Sequence, residues 1–598
     1  MGCDRRQSPL QMYTCSARPC SGMVPADWLM CFVTSNLYRN VYSLAASALA
    51  IVLMHQPLAE PPTLEHLSPT GASRGEAITM RSIGKADPWP PKVWLSSPGI
   101  HFTPSEQKGE WKVQVAEDAT PGARMLRLFN ASGASAPRHF IVSQTPGRIE
   151  KEPNGTIEEA TPVSNLPCIA QGSLSQTQDV DTFKLHLNQG QTLVARLDAY
   201  VLGSSTDALL RLLDTENKVL DWNHDSYYLD PMIAFTAPKT GYYGIQVMGF
   251  PYPGTSSERL GSGSGYIYRL FLTHAPYLRS IDLPSKENAG HGRMELNGWN
   301  LNWAGSVNHA SRSLLDSMEL ATHRQAQLVS ARGVQAEQEP NDQRDQANAL
   351  TENGRGTIAV ADDVDWYAFR ASKGRWYRIE IQSARLGHPC DLVLKLFDAK
   401  GKELQSDDDS ATMGDPRLEW KAPADGKFFL QVSSLTHQGD SDHAYRLIRD
   451  TILPDCRLTL ESSEFNLTPG DSTEIKVKIE RRFDHTASLI LQAFPLPPGV
   501  ACAPVVADKE KKEITLFLHA SPSANPFQGP FEVIAHEKEQ LNQIYSAGKP
   551  TVTTSVNNGV PSGYMDQVFR RIETLWLTLL PRPQTDAEPQ LSGQKKEP

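Results

Sequence analysis

One stretch of this chain is written twice, and that limits its architecture more than any other feature, because a repeat of this length is a repeated fold. Glu150, Glu152, Pro153 and Asn154 return 187 positions later as Glu337, Glu339, Pro340 and Asn341, followed by Asp342. Gly172 returns as Gly356, and Asp179-Val180-Asp181 with Phe183 as Asp363-Val364-Asp365 with Tyr367, each 184 positions on. The segments from Asp207 to Asp214 and from Pro238 to Val247 match those from Asp391 to Asp398 and from Pro423 to Val432. Asp230-Pro231 matches Asp415-Pro416, and Tyr268 with Leu270 matches Tyr445 with Leu447.

Inside each copy the apolar residues alternate at period two and the runs end at Gly, Pro, Asn or Asp. Phe183, Leu185 and Leu187 are followed by Asn188-Gln189-Gly190, and a second alternating run begins at Thr192. Short strands at roughly ten-residue spacing, without helical periodicity between them, predict antiparallel sandwiches or jelly rolls. The fold class is therefore all-β, a multidomain chain of β-sandwiches. Its domains are read as a β-sandwich over 60–146, a first jelly roll over 147–276, a connector over 277–336 with a hairpin near Gly292 to Leu301, a second jelly roll over 337–450, an immunoglobulin-like β domain over 451–582, and a disordered tail over 583–598. With 39% hydrophobic residues the chain is too apolar for a disordered protein, and with 41 Gly and 43 Pro it is too punctuated for long helices.

Residues 1–59 read as a secretory signal with an over-long start. Val41 to Met54 is an uncharged, mostly apolar run preceded by Arg39, short for a bilayer span, although a membrane anchor or a buried helix has the same composition. Nothing downstream is apolar enough to span, so no stable membrane span is expected after cleavage, and the product is expected to be secreted or periplasmic. The formal charge is -10, and the first 59 residues hold four Arg against two Asp, so the remainder is more acidic still. Such a chain is not expected to bind nucleic acid through bulk charge. Cys168, Cys390, Cys456 and Cys502 show no metal-ligand spacing; Cys456 and Cys502 lie in one domain, where a disulfide and two separate thiols are both open readings.

The acidic residues point to a cation. Residues i and i+2 of a strand share a face, so Asp179 and Asp181 should point together, as should Asp363 and Asp365. Carboxylates so placed repel unless a cation joins them. The preceding Glu150-Glu152-Asn154 and Glu337-Glu339-Asn341-Asp342 segments add further oxygen donors, without His or Cys. That donor set suits Ca²⁺ over Zn²⁺; the alternative is a rim of solvated acids. Gly155 stands where the second copy has Asp342, so the first site is expected to be the weaker. Asp407-Asp408-Asp409, opposite Asn223-His224-Asp225, reads as a solvated turn or a further cation site.

At these residues the chain resembles the bacterial pre-peptidase C-terminal (PPC) domains, themselves similar to the collagen-binding domains of collagenases. The resemblance covers about 150–274 and 337–450. It implies a secreted, calcium-stabilised, non-catalytic jelly roll attached to or derived from extracellular hydrolases. The ligands it implies are Glu150, Glu152, Asn154 and Asp181 in the first copy, and Glu337, Glu339, Asn341, Asp342 and Asp365 in the second. The segments from Pro69 to Gly75 and from Val93 to Gly99 are similar to a β domain that precedes such modules, and Leu496 to Val500 to an immunoglobulin-like module that follows them.

No catalytic pattern emerges. Gly71-Ala72-Ser73-Arg74-Gly75 fits G-x-S-x-G but sits in a β-like context where a nucleophile elbow needs a strand and then a helix. His536-Glu537 lacks the second His of a zincin. The chain is therefore expected not to be an enzyme but to bind an extracellular polymer or protein surface; the alternative is an accessory or remnant part of an exported peptidase. Tyr227, Tyr228, Tyr242, Tyr243, Phe250, Tyr252, Tyr266 and Tyr268 crowd the first copy, either as a ligand surface or as core.

Overall fold

The computed structural model describes residues 60–224, 226, 230–251, 259–283, 295–301, 331–332, 334–351, 353–386, 388, 390–410, 414–552 and 568–581. The signal segment, the tail, most of the connector and Tyr227, Tyr228 and Tyr252 lie outside them. Among the described residues there are strands and short 3-10 turns and no α-helix, so the all-β expectation holds. None of their helices is long and apolar enough to cross a membrane.

The first jelly roll has ten strands: β1 (Gly147–Ile149), β2 (Thr161–Pro162), β3 (Cys168–Ser173), β4 (Asp181–Leu187), β5 (Thr192–Asp198), β6 (Thr206–Leu213), β7 (Val219–Asn223), β8 (Met232–Thr236), β9 (Gly241–Pro251) and β10 (Ile267–Thr273). They form two five-stranded sheets, ordered β1-β3-β10-β5-β8 and β2-β4-β9-β6-β7. The second repeats the set as β11 (Val334–Ala336), β12 (Asn348–Ala349), β13 (Asn353–Thr357), β14 (Val364–Ala371), β15 (Trp376–Gln382), β16 (Leu392–Phe397), β17 (Glu403–Asp407), β18 (Arg417–Lys421), β19 (Gly426–Ser434) and β20 (Ala444–Ile452). Its sheets run β11-β13-β20-β15-β18 and β12-β14-β19-β16-β17, the same order strand for strand.

Period-two patterning builds these sandwiches. Phe183, Leu185 and Leu187 of one sheet meet Leu193, Ala195, Leu197, Leu270 and Leu272 of the other in a single core. The Asp-Pro pair shared by the copies holds the turn after β5 and β15. Asp230 Oδ1 accepts the amides of Ala199 (2.8 Å) and Tyr200 (2.7 Å), and Asp415 Oδ1 those of Ser383 (2.9 Å) and Ala384 (2.8 Å).

The flanking domains are sandwiches of their own, with cores around Trp111 and Phe140 in the first and Leu516 and Val533 in the last. The structure moves two details of the sequence reading. Val334–Ala336, assigned above to the connector, pairs in parallel with β13 and belongs to the second jelly roll; it is a polar edge strand without an inward apolar set. The connector hairpin starts earlier than expected, at Tyr277–Leu283, which pairs with Glu295–Trp299.

Cys168, Cys390, Cys456 and Cys502 are free thiols, which settles the disulfide question against a bridge. Cys456 and Cys502 lie on strands separated by two others in one sheet. Three inter-strand steps are about 14 Å, beyond the roughly 7 Å that a disulfide can span.

Candidate metal centre

In each jelly roll the chain crosses from one sheet to the other at one end of the sandwich. The crossing from β1 to β2 carries Glu150, Glu152 and Asn154, and that from β11 to β12 carries Glu337, Glu339 and Asn341. Backbone bonds seat both crossings alike. Glu150 donates its amide to Gln171 O and Glu337 to Arg355 O, each at 3.0 Å. The carbonyl of Asn154 accepts from the Thr182 amide (2.9 Å) and that of Asn341 from the Trp366 amide (3.0 Å), which ties each Asn to the strand that carries the buried aspartate.

Part of the expected set converges, without Glu150 in the first copy and without Asp363 in the second. Carboxylate oxygens of Glu152, Asp179 and Asp181 lie within 4.8 Å of one another, as do those of Glu337, Glu339 and Asp365. Asp181 opens β4 and Asp365 is the second residue of β14; both are fully buried. Asp179 and Asp363 sit in the turn just before, where each closes that turn by accepting a backbone amide, Gln176 at 2.8 Å and Ala359 at 2.6 Å. Asp342 is exposed and stands outside the convergent group. Its replacement by Gly155 therefore removes nothing from the first cluster, and the basis for expecting a weaker first site is gone.

Residues whose role the sequence did not disclose complete the arrangement. Tyr268 of β10 holds its hydroxyl 2.7 Å from both Glu150 Oε2 and Asp181 Oδ2. In the second copy Tyr445 donates to Asp365 Oδ2 (2.5 Å) and Tyr367 to Glu337 Oε2 (3.3 Å), with the two hydroxyls 2.9 Å apart. Where the second copy has Tyr367 the first has Phe183, so one hydroxyl proton serves two carboxylates there. The shared glycines are explained by the same glutamates: a Cβ on Gly172 would lie 2.1 Å from Glu150 Oε2, and one on Gly356 2.2 Å from Glu337 Oε2. The signal was present in the sequence as the matched Gly and Tyr of the repeat.

The amides differ more. One terminal atom of the Asn341 carboxamide faces Asp365 Oδ1 at 2.9 Å and Glu339 Oε2 at 3.3 Å, and the other faces Asn348 Nδ2 at 3.0 Å. With its nitrogen toward the carboxylates, every group is satisfied. Asn154, equally buried at 0% exposure, has no partner for Oδ1 or Nδ2 among the described residues, and Glu152 Oε1 and Asp181 Oδ1 beside it have none either.

Burial is the largest cause that pushes the Asp181 carboxyl up to about 10, with Glu150 adding to it. Burial and then Glu337 push Asp365 up to about 8. Glu337 rises to about 7, chiefly by burial, against the opposing hydrogen bond from Thr357. Glu152 is raised by burial and then by Asp179. At neutral pH each cluster needs either protons or a cation to offset the charge of its buried carboxylates.

The other sequence candidates are placed as follows. Asp407 accepts from the Ser410 amide and hydroxyl and the Arg417 amide (3.1, 2.8 and 2.7 Å), which makes the triple aspartate a turn organised by its first member. Ser73 is in a short strand and donates its hydroxyl to Thr145 O at 2.5 Å, and His536 lies on strand Phe527–Glu537. Tyr243 and Tyr268 are core residues, while Tyr242 and Phe250 are exposed.

No protein-family model matches the chain. Over 101 residues, 16% of its length, it is 34% identical to a probable subtilase-type serine protease of Deinococcus radiodurans, and the match spans 14% of that protein. Among solved structures it is similar to the pre-peptidase C-terminal domain of a Bacillus anthracis collagenase, covering 19% of this chain and 100% of that one at 16% identity and a TM-score of 0.15. It is also similar to the Aeromonas hydrophila periplasmic lysozyme inhibitor PliG, over 21% of this chain and 97% of that one at 18% identity and a TM-score of 0.14.

Proposed function

We propose that this is an exported, modular, non-catalytic protein in which each jelly roll holds a calcium ion at the end of its sandwich, and which attaches through these modules to an extracellular protein or polysaccharide. One observation carries the cation. Asn154 is wholly buried with both ends of its carboxamide unpartnered among the described residues, and on the same crossing and the strand it is tied to, Glu152 Oε1 and Asp181 Oδ1 are unpartnered too. A buried polar atom left unpaired costs about 1–3 kcal/mol, and three of these atoms, Asn154 Oδ1, Glu152 Oε1 and Asp181 Oδ1, are acceptors of the kind a cation takes. The donors are carboxylate and amide oxygens, the set preferred by a hard cation with six to eight ligands.

Glu150, Glu152, Asn154, Asp179 and Asp181 would hold the first ion, and Glu337, Glu339, Asp363 and Asp365 the second, joined by Asn341 only if its carboxamide turns its oxygen from Asn348 to the carboxylates. The ion would supply the positive charge that buried carboxylates otherwise obtain from protons. The first site is the stronger, because the second already satisfies its amide and has two hydroxyl donors. A second reading, an accessory or remnant part of an exported peptidase, is favoured by the stretch shared with the Deinococcus protease.

Calorimetric titration of the chelator-stripped full chain with CaCl₂ tests the cation. Two sites are expected, the tighter one lost in Asp181→Asn and the weaker in Asp365→Asn. At a hundredfold excess over Kd a ligand of the native state adds about 2.7 kcal/mol, so calcium should raise the melting temperature of the affected domain by about 10 °C. No heat of binding, together with identical melting in calcium and EDTA, removes the metal. Incubation with casein, gelatin and common polysaccharides tests the rest: co-sedimentation without turnover is expected, and turnover would make the protein an enzyme.

A further inference from the structure

The outer faces of the first and last domains are buried where an isolated sandwich would be solvated. Strand Leu575–Leu579 turns Leu575, Leu577 and Leu579 into its own core. Alternation should leave Trp576 and Thr578 in water, yet they are 1% and 0% exposed. The cover comes from the first domain: the rings of Trp94 and Phe129 stand 5.6 and 5.0 Å from that of Trp576.

Strand Gly122–Asn130 shows the reciprocal pattern. Leu126 and Leu128 enter the first domain's core, and Arg127 between them, on the opposite face, is 0% exposed. Its guanidinium is paired with Glu464 and donates to the Thr574 carbonyl at 3.2 Å, both in the last domain, and to its own domain's Ser135 carbonyl at 2.7 Å. Asn466 returns a bond to the Ser132 carbonyl at 3.3 Å. A buried guanidinium is tolerated only with such partners, and the partners all belong to this chain.

We infer that residues 60–146 and 451–581 latch the chain closed, forming one cooperative body whose seam is the Arg127–Glu464 pair and the Trp576 ring. The jelly rolls are then arms of that body and not beads on a string. Each docks on the half nearest to it in sequence. Arg269 of the first donates to Ser143 Oγ (2.7 Å) and Gln171 to Gly71 O (2.9 Å). Trp376 of the second donates to Asp484 (2.8 Å), and its Glu419 pairs with Arg482 (3.2 Å).

The test uses the full chain with a site-specific protease sequence inserted between residues 302 and 330. After cleavage the two fragments should elute together on size exclusion as one species of intact size. Glu464→Arg sets two guanidiniums against each other at a side chain that is 25% exposed, so both cores are spared and the cleaved fragments should separate. Trp576→Ala should loosen the same seam by a different route. Separation of the cleaved wild type into two folded fragments overturns the inference. So does co-elution that persists unchanged in both variants, which would place the cohesion elsewhere.

Discussion

The Tyr268 hydroxyl stands 2.7 Å from the Asp181 carboxylate and at the same distance from Glu150, with one proton to give to two acceptors. In the second copy a pair of tyrosines shares that duty. Tyr268→Phe should therefore destabilise the chelator-treated protein by about 1–3 kcal/mol, and the deficit should shrink in calcium, where the ion neutralises both carboxylates. Denaturant unfolding in EDTA and in millimolar calcium measures both; equal losses in the two buffers would contradict a cation between these groups.

The two asparagines should separate cleanly. In chelator, Asn341→Ala loses a carboxamide that bridges Asp365, Glu339 and Asn348 and should cost about 1–3 kcal/mol. Asn154→Ala removes atoms that have no partner among the described residues and should be close to neutral there, while the first calcium affinity falls at least tenfold. Chelator-state unfolding combined with calcium titration reads the contrast.

Acidity should act on the metal-free protein in an unusual direction. Asp181 and Asp365 keep their protons in the folded state to about 10 and about 8, against an ordinary 3.8. Raised carboxyl groups contribute stability that is complete below the unfolded value and is lost as pH rises through the folded one. In EDTA the stability should therefore fall as pH climbs from about 5 to about 8, by up to roughly 1.4 kcal/mol per pH unit for each group, and the melting temperature should fall with it. Calcium should flatten the slope. A chelated protein that gains stability over the same interval would show that other groups govern it.

Gly172→Ala should be destabilising despite its small volume change. The added carbon would lie 2.1 Å from Glu150 Oε2, so the glutamate must leave its place under Tyr268. A loss of about 2 kcal/mol or more is expected, together with loss of the first calcium isotherm and retention of the second.

Much of this was legible in the chain. The duplicated segment announced two equal sandwiches, because period-two patterning and turn residues are local properties that survive without knowledge of neighbours. Glu152, Asp179 and Asp181, and Glu337, Glu339 and Asp365, could be named in advance, because a pattern kept in both halves marks positions under a common constraint. What could not be read was which atoms are satisfied. Asp342 looked like a ligand and is a surface residue; Tyr268 was open between core and ligand surface and organises the cluster; Val334–Ala336 looked like connector and is an edge strand.

Linear order decided the strands, their alternation and the acidic character of the crossings. Only the folded chain decided that Asn154 is unpartnered while Asn341 is not, and that Arg127 meets Glu464 across more than half of the sequence. The reason is the same in both cases. Hydrophobic periodicity depends on a residue's own neighbours along the strand, whereas the satisfaction of a buried polar atom depends on groups that become adjacent only when distant strands meet, and no spacing in the sequence encodes that distance.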